Sequence, residues 1–186
     1  MEKFIILVLA LFLWSCSETP KEEVMLEERV ESVELGKEIA GKSFVALSSA
    51  LQSVMQTEGP LSAIQFCNVH AIPLIDSLSY VHNVDIKRTS LRIRNPLDAP
   101  NQEEVQVLNE FQTIVSNGQT PIAKMEGNTF YAPIFMQEAC LVCHGIPGEK
   151  LSFDLHAKIL ALYPSDAAFG YQAGDLRGMW SITLKK

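Results

Sequence analysis

The spacing of apolar positions predicts a long amphipathic helix near the N-terminus. Apolar side chains recur at steps of three or four residues between Leu26 and Val54, and only Lys37 interrupts the series. We therefore predict one helix over residues 23–56. Two interpretations of this helix stay open: a stalk that becomes a core helix, or a core helix throughout.

A second helix and a strand follow in the pattern. Gly59-Pro60 ends the first helix and begins the next, because proline is favoured in the first helical turn. The second helix is predicted over residues 61–81, with a kink at Pro73. Residues 84–94 alternate in part between apolar and polar positions, which predicts a strand. Asn101 is the predicted N-cap of a third helix that runs to Ser116.

The C-terminal half predicts three strands and one more helix. Residues 121–126 and 129–136 flank Gly127-Asn128, a pair of residues typical of a hairpin turn. A helix is predicted over residues 151–162 and a last strand over residues 178–184. This order of elements predicts an α+β fold with a small antiparallel sheet, a long N-terminal helix and flanking helices.

The N-terminus has the pattern of an export signal. Residues 4–14 form an apolar run that is too short to span a bilayer and has the length of a signal-peptide core. The following Leu13-Trp14-Ser15-Cys16 resembles a bacterial lipobox, although Trp14 is bulkier than the usual residue. We predict a signal peptide over residues 1–15, a lipidated Cys16 with a polar tether over residues 16–24, and one domain over residues 25–186. An ordinary secretory peptide and an uncleaved anchor are the alternatives.

The net charge of the chain restricts the kinds of binding partner that we expect. The net charge of −7 disfavours nucleic acid and anionic membrane surfaces. Contact with the membrane is therefore predicted only through the lipid anchor, on the periplasmic side of a bacterial membrane. A redox or signalling protein of unknown identity is the predicted partner, and a homodimer stays open as an alternative.

The most specific motif is Cys140-Leu-Val-Cys143-His144. C-x-x-C-H is the attachment pattern of a c-type haem, in which two thiols add to the two vinyl groups and the histidine binds the iron. We predict one covalent haem c on these three residues. A zinc site would need a second pair of ligands at suitable spacing, and a thiol oxidoreductase would need a βαβ context.

The residue opposite His144 on the iron is left open by spacing. Cys67 and His70 lie three positions apart, so they share a face of the second helix. His82, His156 and several methionines are further candidates. Free cysteine also packs as a small hydrophobic residue, so the residues alone do not assign Cys67 as the ligand.

Four stretches together carry a resemblance to a known family. They read AIQFC at residues 63–67, RTSLRIRNP at 88–96, CLVCHG at 140–145 and GYQAGDLRG at 170–178. They resemble the PAS-like single-haem c-type cytochromes, a bacterial domain of unknown function that also occurs as an extracytoplasmic haem sensor module of signalling proteins. The resemblance implies a PAS-like antiparallel sheet and an iron held by His144 on one face and by Cys67 on the other. Asp98 stands where asparagine is more usual in that family.

Arginines are candidates for the two haem propionates, because guanidinium groups bind carboxylates bidentately. Arg94 and Arg177 are predicted for this role, since both lie in matching motifs beside turns. A pair between Asp175 and Arg177 is the alternative. No catalytic set of residues is evident, so the predicted function is electron transfer or redox sensing and not an enzymatic reaction. The alternative is a sensor of gas or another small ligand that acts through a partner protein.

Overall fold

The computed structural model describes residues 21–185. Its helices are α1 (Lys21–Thr57), α2 (Pro60–His82), α3 (Gln102–Ser116), α4 (Leu141–His144) and α5 (Phe153–Leu162). Its strands are β1 (Val84–Thr89), β2 (Lys124–Glu126), β3 (Thr129–Phe135) and β4 (Leu176–Leu184), and short 3-10 turns cover Pro96–Asp98 and Glu138–Cys140. Within this part of the chain, no helix combines the length and the apolar content that a bilayer crossing requires.

The strands form one antiparallel sheet in the order β1-β4-β3-β2. The last strand therefore lies in the middle of the sheet, where Trp180 faces Arg88 of β1 on one side and Ala132 of β3 on the other. The predicted α+β fold with a small antiparallel sheet is confirmed.

Helices cover both faces of this sheet. The face beneath α1 and α2 holds the main apolar cluster, with Ile39, Ile75, Ile86, Phe130 and Ile182 buried in it. The opposite face packs against α3, whose Leu108 and Phe111 contact Tyr131 and Met179. Residues alternate between these faces along each strand, as the two-residue repeat of a strand requires.

Helix α1 is exposed at its beginning and buried further on. Residues 23–31 are exposed, and the first buried position is Gly36, followed by Ile39, Ala40 and Ser43. The structure therefore agrees with a stalk that becomes a core helix. The helix begins at Lys21, so the last residues of the predicted tether are helical. The predicted signal peptide and Cys16 lie outside the described residues.

Local signals set several element boundaries as predicted, whereas β2 begins at Lys124, three residues later than predicted. The side chain of Asn101 accepts a hydrogen bond from the Glu104 amide while the Glu104 carboxylate accepts one from the Asn101 amide, which forms a capping box at the start of α3. Helix α2 begins at Pro60 and continues through Pro73 without a break. The Gly127-Asn128 turn joins β2 and β3 as a hairpin.

The predicted strand over residues 84–94 is wrong in its second half. Strand β1 ends at Thr89, because the Ser90 hydroxyl accepts a hydrogen bond from the Arg92 amide and turns the chain. Further along, the Ile93 carbonyl accepts a hydrogen bond from the Ala167 amide. The segment after β1 is therefore a loop attached to the C-terminal region and not a continuation of the sheet.

Candidate functional site

The C-x-x-C-H motif forms a short turn of helix directly after the sheet. Strand β3 leads through the Glu138–Cys140 turn into α4, which ends at His144. The Gly145 amide donates to the Leu141 carbonyl, and a Cβ at Gly145 would lie 2.5 Å from that oxygen. Only glycine allows the chain to turn so closely behind His144. The thiols of Cys140 and Cys143 are free.

The ring of His144 has a defined tautomer. Its Nδ1 lies 2.6 Å from the Ala168 carbonyl oxygen, which can only accept a hydrogen bond, so Nδ1 carries the proton and donates it. Burial, together with the positive charges of Arg94 and Arg177, holds the pKa of His144 well below its usual range. The imidazole is therefore neutral, and its Nε2 lone pair is available to a metal ion.

Arg94 holds the loop around Ala168 against the motif. Its Nη2 donates to the carbonyl of Cys143 at 2.7 Å and to that of Ala168 at 3.1 Å. Its Nε and Nη2 also contact the two carboxylate oxygens of Asp166, each at 3.1 Å. The side chains of Arg94 and Asp166 are 9% and 0% exposed. Within residues 21–185, Nη1 is the one guanidinium nitrogen of Arg94 that has no protein acceptor. This nitrogen could make the predicted contact with a propionate.

Cys67 packs beside the motif although it is distant in sequence. It lies on α2 and joins an apolar cluster that also contains Cys143 and Val142. The buried members of this cluster are Ile64, Leu151, Leu155, Ile159 and Tyr163. The fold thus brings the one cysteine outside the motif and tether, Cys67, to the site.

The buried thiols are neutral in this environment. Burial raises the pKa of Cys67, and the positive charges of Arg88 and Arg94 oppose that rise only in part. Burial raises the pKa of Cys143 to about 11. A cationic metal centre beside Cys67 would therefore be needed to stabilise its thiolate.

The other candidate ligands have different surroundings, and Met136 is packed next to Leu141 of the motif. His70 is exposed and stacks on Phe66, with ring centroids 5.1 Å apart. His82 ends α2, and Met136 is buried in core packing. His156 lies on α5, where its ring contacts Phe169 and its Nε2 is buried without a hydrogen-bond partner in the described chain.

Positive charge collects around Tyr171. The guanidinium carbon of Arg92 lies 4.0 Å from the centre of the Tyr171 ring and that of Arg177 lies 5.7 Å from it. Burial lowers the pKa of Arg177, whose Nη1 donates to the Arg92 carbonyl at 3.1 Å. The Asp175 carboxylate accepts from the Gln172 amide, and within residues 21–185 it makes no ion pair with Arg177. The buried Tyr171 hydroxyl has no partner in the same part of the chain.

A cavity of about 340 Å³ lies between α2, β1 and the Pro96–Asp98 turn. Ala71, one helical turn after Cys67, lines it together with Arg88 and Asp98. Burial raises the pKa of Asp98, and the positive charges of Arg88 and Arg177 oppose this. The volume falls within the range of small-molecule and cofactor pockets.

Comparison with known proteins agrees with these features. The model of a protein family described as "Tll0287-like" matches residues 23–185. The chain belongs to the Tll0287-like family. Its fold matches the crystal structure of the cyanobacterial haem protein Tll0287 with a TM-score of 0.54 and 25% sequence identity, over 90% of this chain and 96% of that one. Among curated protein sequences, none matches significantly.

The donor set of this Tll0287-like chain fits a c-type haem. Two free thiols lie on one turn with a neutral imidazole beside them, and a third thiol packs against the same apolar cluster as this turn. The orphaned Tyr171 hydroxyl and the arginine cluster suit carboxylate groups. Within residues 21–185, no group of three or more His, Cys, Asp or Glu side chains forms a separate metal-ion site.

Sequence reasoning did not find Asp166 and Ala168. An acidic residue in a loop carries no local signal for a role beside a histidine 22 positions earlier, and a backbone carbonyl is not visible in a sequence at all. The hint that existed was the presence of three arginines within residues 88–94, because a buried arginine requires an acidic partner.

Proposed function

We propose that this protein is an exported c-type cytochrome with one covalent haem, bound through Cys140 and Cys143 and ligated by His144 and Cys67. The observation that carries the proposal is the packing of Cys67 in one apolar cluster with Cys143. The Nδ1 hydrogen bond of His144 adds support, since it holds the ring proton on Nδ1 and leaves the Nε2 lone pair for the iron. The relationship to a cyanobacterial haem protein agrees with this assignment.

The haem would supply one-electron chemistry, and the chain would set its potential and its access to solvent. A thiolate at Cys67 stabilises the ferric state, so the reduction potential should be well below that of cytochromes with histidine and methionine ligands. Arg177 and the Tyr171 hydroxyl are the groups we assign to the propionates, because within residues 21–185 Arg177 makes no ion pair and the Tyr171 hydroxyl has no hydrogen-bond partner. We propose electron transfer or redox sensing as the function, with no substrate turned over.

The test is spectroscopic and uses the protein matured with haem. The wild-type absorption and EPR spectra should show a low-spin ferric iron with a thiolate ligand. Cys67→Ser should abolish the thiolate signature and raise the reduction potential. His70→Ala, on the same helix but at an exposed position, should change neither. A thiolate signature that survives Cys67→Ser would refute the ligand assignment.

A second candidate function is the sensing of gas or another small ligand. The apolar surroundings of Cys67 favour it, because they favour the neutral, protonated form of a sulfur that leaves the reduced iron. Carbon monoxide binding separates the two functions. A reduced protein that binds carbon monoxide rapidly supports sensing, whereas a reduced protein that excludes it supports electron transfer.

We further propose that the protein is a lipoprotein anchored at Cys16 on the periplasmic side of a bacterial membrane. This proposal depends on the sequence, since Cys16 lies before the described residues. Metabolic labelling with a radioactive fatty acid should label the wild type and should not label Cys16→Ala. A wild-type protein that remains unlabelled and is recovered in the soluble periplasmic fraction would contradict the anchor.

A further inference from the structure

We propose that Arg94 and Asp166 are positioning residues for His144, which act through the carbonyl group of Ala168. The proposal rests on the proposed function, because it concerns the axial histidine of the haem. Its physical basis is a set of buried hydrogen bonds whose donors and acceptors are all protein groups.

The Ala168 carbonyl is shared between two donors. His144 Nδ1 lies 2.6 Å from its oxygen and Arg94 Nη2 lies 3.1 Å from it. A carbonyl oxygen has two lone pairs, so these two donors use its full capacity. The hydrogen bond that orients the histidine therefore ends on an oxygen that also faces a positive charge.

Asp166 fixes the loop that presents this carbonyl. Its Oδ1 accepts from the Ala168 amide at 2.9 Å and from Arg94 Nε at 3.1 Å. Two backbone hydrogen bonds, from the amides of Gly170 and Tyr171 to the carbonyls of Gly145 and His144, join the same loop to the motif. The Ala168 carbonyl is thus held rigidly in relation to the imidazole ring.

The positive charge of Arg94 should raise the reduction potential of the haem. A positive charge beside the Ala168 carbonyl makes its oxygen a weaker acceptor, so His144 Nδ1 shares its proton less than it would with a carboxylate partner. A less electron-rich imidazole donates less to ferric iron, which raises the reduction potential. Because the pair is buried, solvent screens this effect little.

Arg94→Lys separates the hydrogen bond from the charge. Lysine keeps the positive charge but has no planar fork that could bridge the Cys143 and Ala168 carbonyls and the Asp166 carboxylate. We expect the potential of the matured protein to change little, because the charge is kept. The single set of EPR g values should broaden or split, because the imidazole then samples several orientations.

Arg88→Gln is the matched control for charge. The positive charge of Arg88 also acts on His144, but within the described chain Arg88 makes no hydrogen bond to Ala168. Its loss should lower the potential without broadening the EPR spectrum. Equal behaviour of the two variants, or an Arg94→Lys protein identical to wild type, would overturn the inference.

A second variant is needed in case the Arg94→Lys protein does not acquire haem. Asp166→Asn keeps the side-chain volume and removes the charge, so it should also broaden the EPR spectrum, and an unchanged spectrum would overturn the inference. The wild-type spectrum keeps the two proposals apart. A wild type without histidine-ligated haem refutes the proposed function, whereas a normal wild type with unaffected variants refutes only the role of Arg94 and Asp166.

Discussion

Gly36 marks the point where α1 meets the sheet, and its replacement tests the docking of this helix. A Cβ added there would lie 2.7 Å from both Cβ and Cδ1 of Phe130 and closer still to the ring carbon Cγ. Phe130 is 0% exposed and sits in the main apolar cluster, so its ring has no free space to enter. Helix α1 would therefore have to move away from β3.

The expected change in the free energy of unfolding of Gly36→Ala is the sum of two opposing effects. Gly→Ala within a helix gains about 1 kcal/mol of helix propensity. Overpacking of a filled core costs about 1–3 kcal/mol, and a contact with a buried aromatic ring belongs at the upper end of that range. We expect Gly36→Ala to lower the free energy of unfolding by about 2 kcal/mol in net terms.

Gly41 provides the control within the same helix. A Cβ there has no atom within 4 Å, so Gly41→Ala should raise the free energy of unfolding by about 0.5–1 kcal/mol. Urea unfolding of haem-loaded protein, followed by circular dichroism, measures both variants against wild type. If Gly36→Ala is as stable as Gly41→Ala, then α1 does not dock against Phe130 as described.

Three further predictions concern the buried groups around the site. Ile159→Ala opens the cluster that holds Cys67 and should cost about 2–5 kcal/mol in urea unfolding, whereas the neighbouring Leu160, 38% exposed, should cost less than about 1 kcal/mol when replaced by alanine. Glu104→Ala removes the carboxylate that pairs with the Lys87 ammonium and caps the start of α3, and it should lower the free energy of unfolding by about 3 kcal/mol. An unchanged urea midpoint would contradict this role of Glu104. Burial raises the pKa of Asp98, so the stability that its proton contributes is lost as the pH rises through the folded-state pKa. Asp98→Asn should therefore be more stable than wild type at neutral pH, and its advantage should shrink towards about pH 4 in unfolding curves taken over a pH series.

Elements with local signals were predictable from sequence. The capping box of Asn101 and Glu104, the proline at the start of α2 and the Gly127-Asn128 turn each depend on residues within four positions of one another. Their energetics are local, so the surrounding fold does not override them. The C-x-x-C-H motif belongs to the same class, because its geometry is that of one helical turn.

Elements set by distant contacts were not predictable. Residues 90–94 have the alternation of a strand, but their backbone bonds to residues far along the chain, as in the pair formed by Ile93 and Ala167. Gly178 of β4 helps to explain why the chain leaves the sheet after Thr89, since a Cβ at Gly178 would collide with the Thr89 carbonyl at the end of β1. Such close approach depends on sheet register, which a single strand does not encode.

Tertiary packing favours Cys67 over His70 as the proposed ligand. Spacing placed both on one broad face of α2, yet the structure buries Ala63, Ile64, Ala71 and Ile75 and leaves His70 exposed. Cys67 continues the series of apolar positions at steps of three and four, and His70 lies at its margin. The resemblance to a known family favoured the same residue, so two independent lines support Cys67 as the proposed ligand.

The two proposed ligands of the iron are held by different kinds of contact. His144 is fixed by a hydrogen bond to a buried loop that Arg94 and Asp166 attach to the motif. Cys67 is held by apolar packing on a separate helix, which tolerates small displacements better than a hydrogen-bond network does. If one ligand leaves when the iron is reduced, we expect it to be Cys67, with His144 remaining bound. X-ray absorption at both oxidation states tests this, and identical iron–sulfur ligation in the two states would exclude a ligand switch.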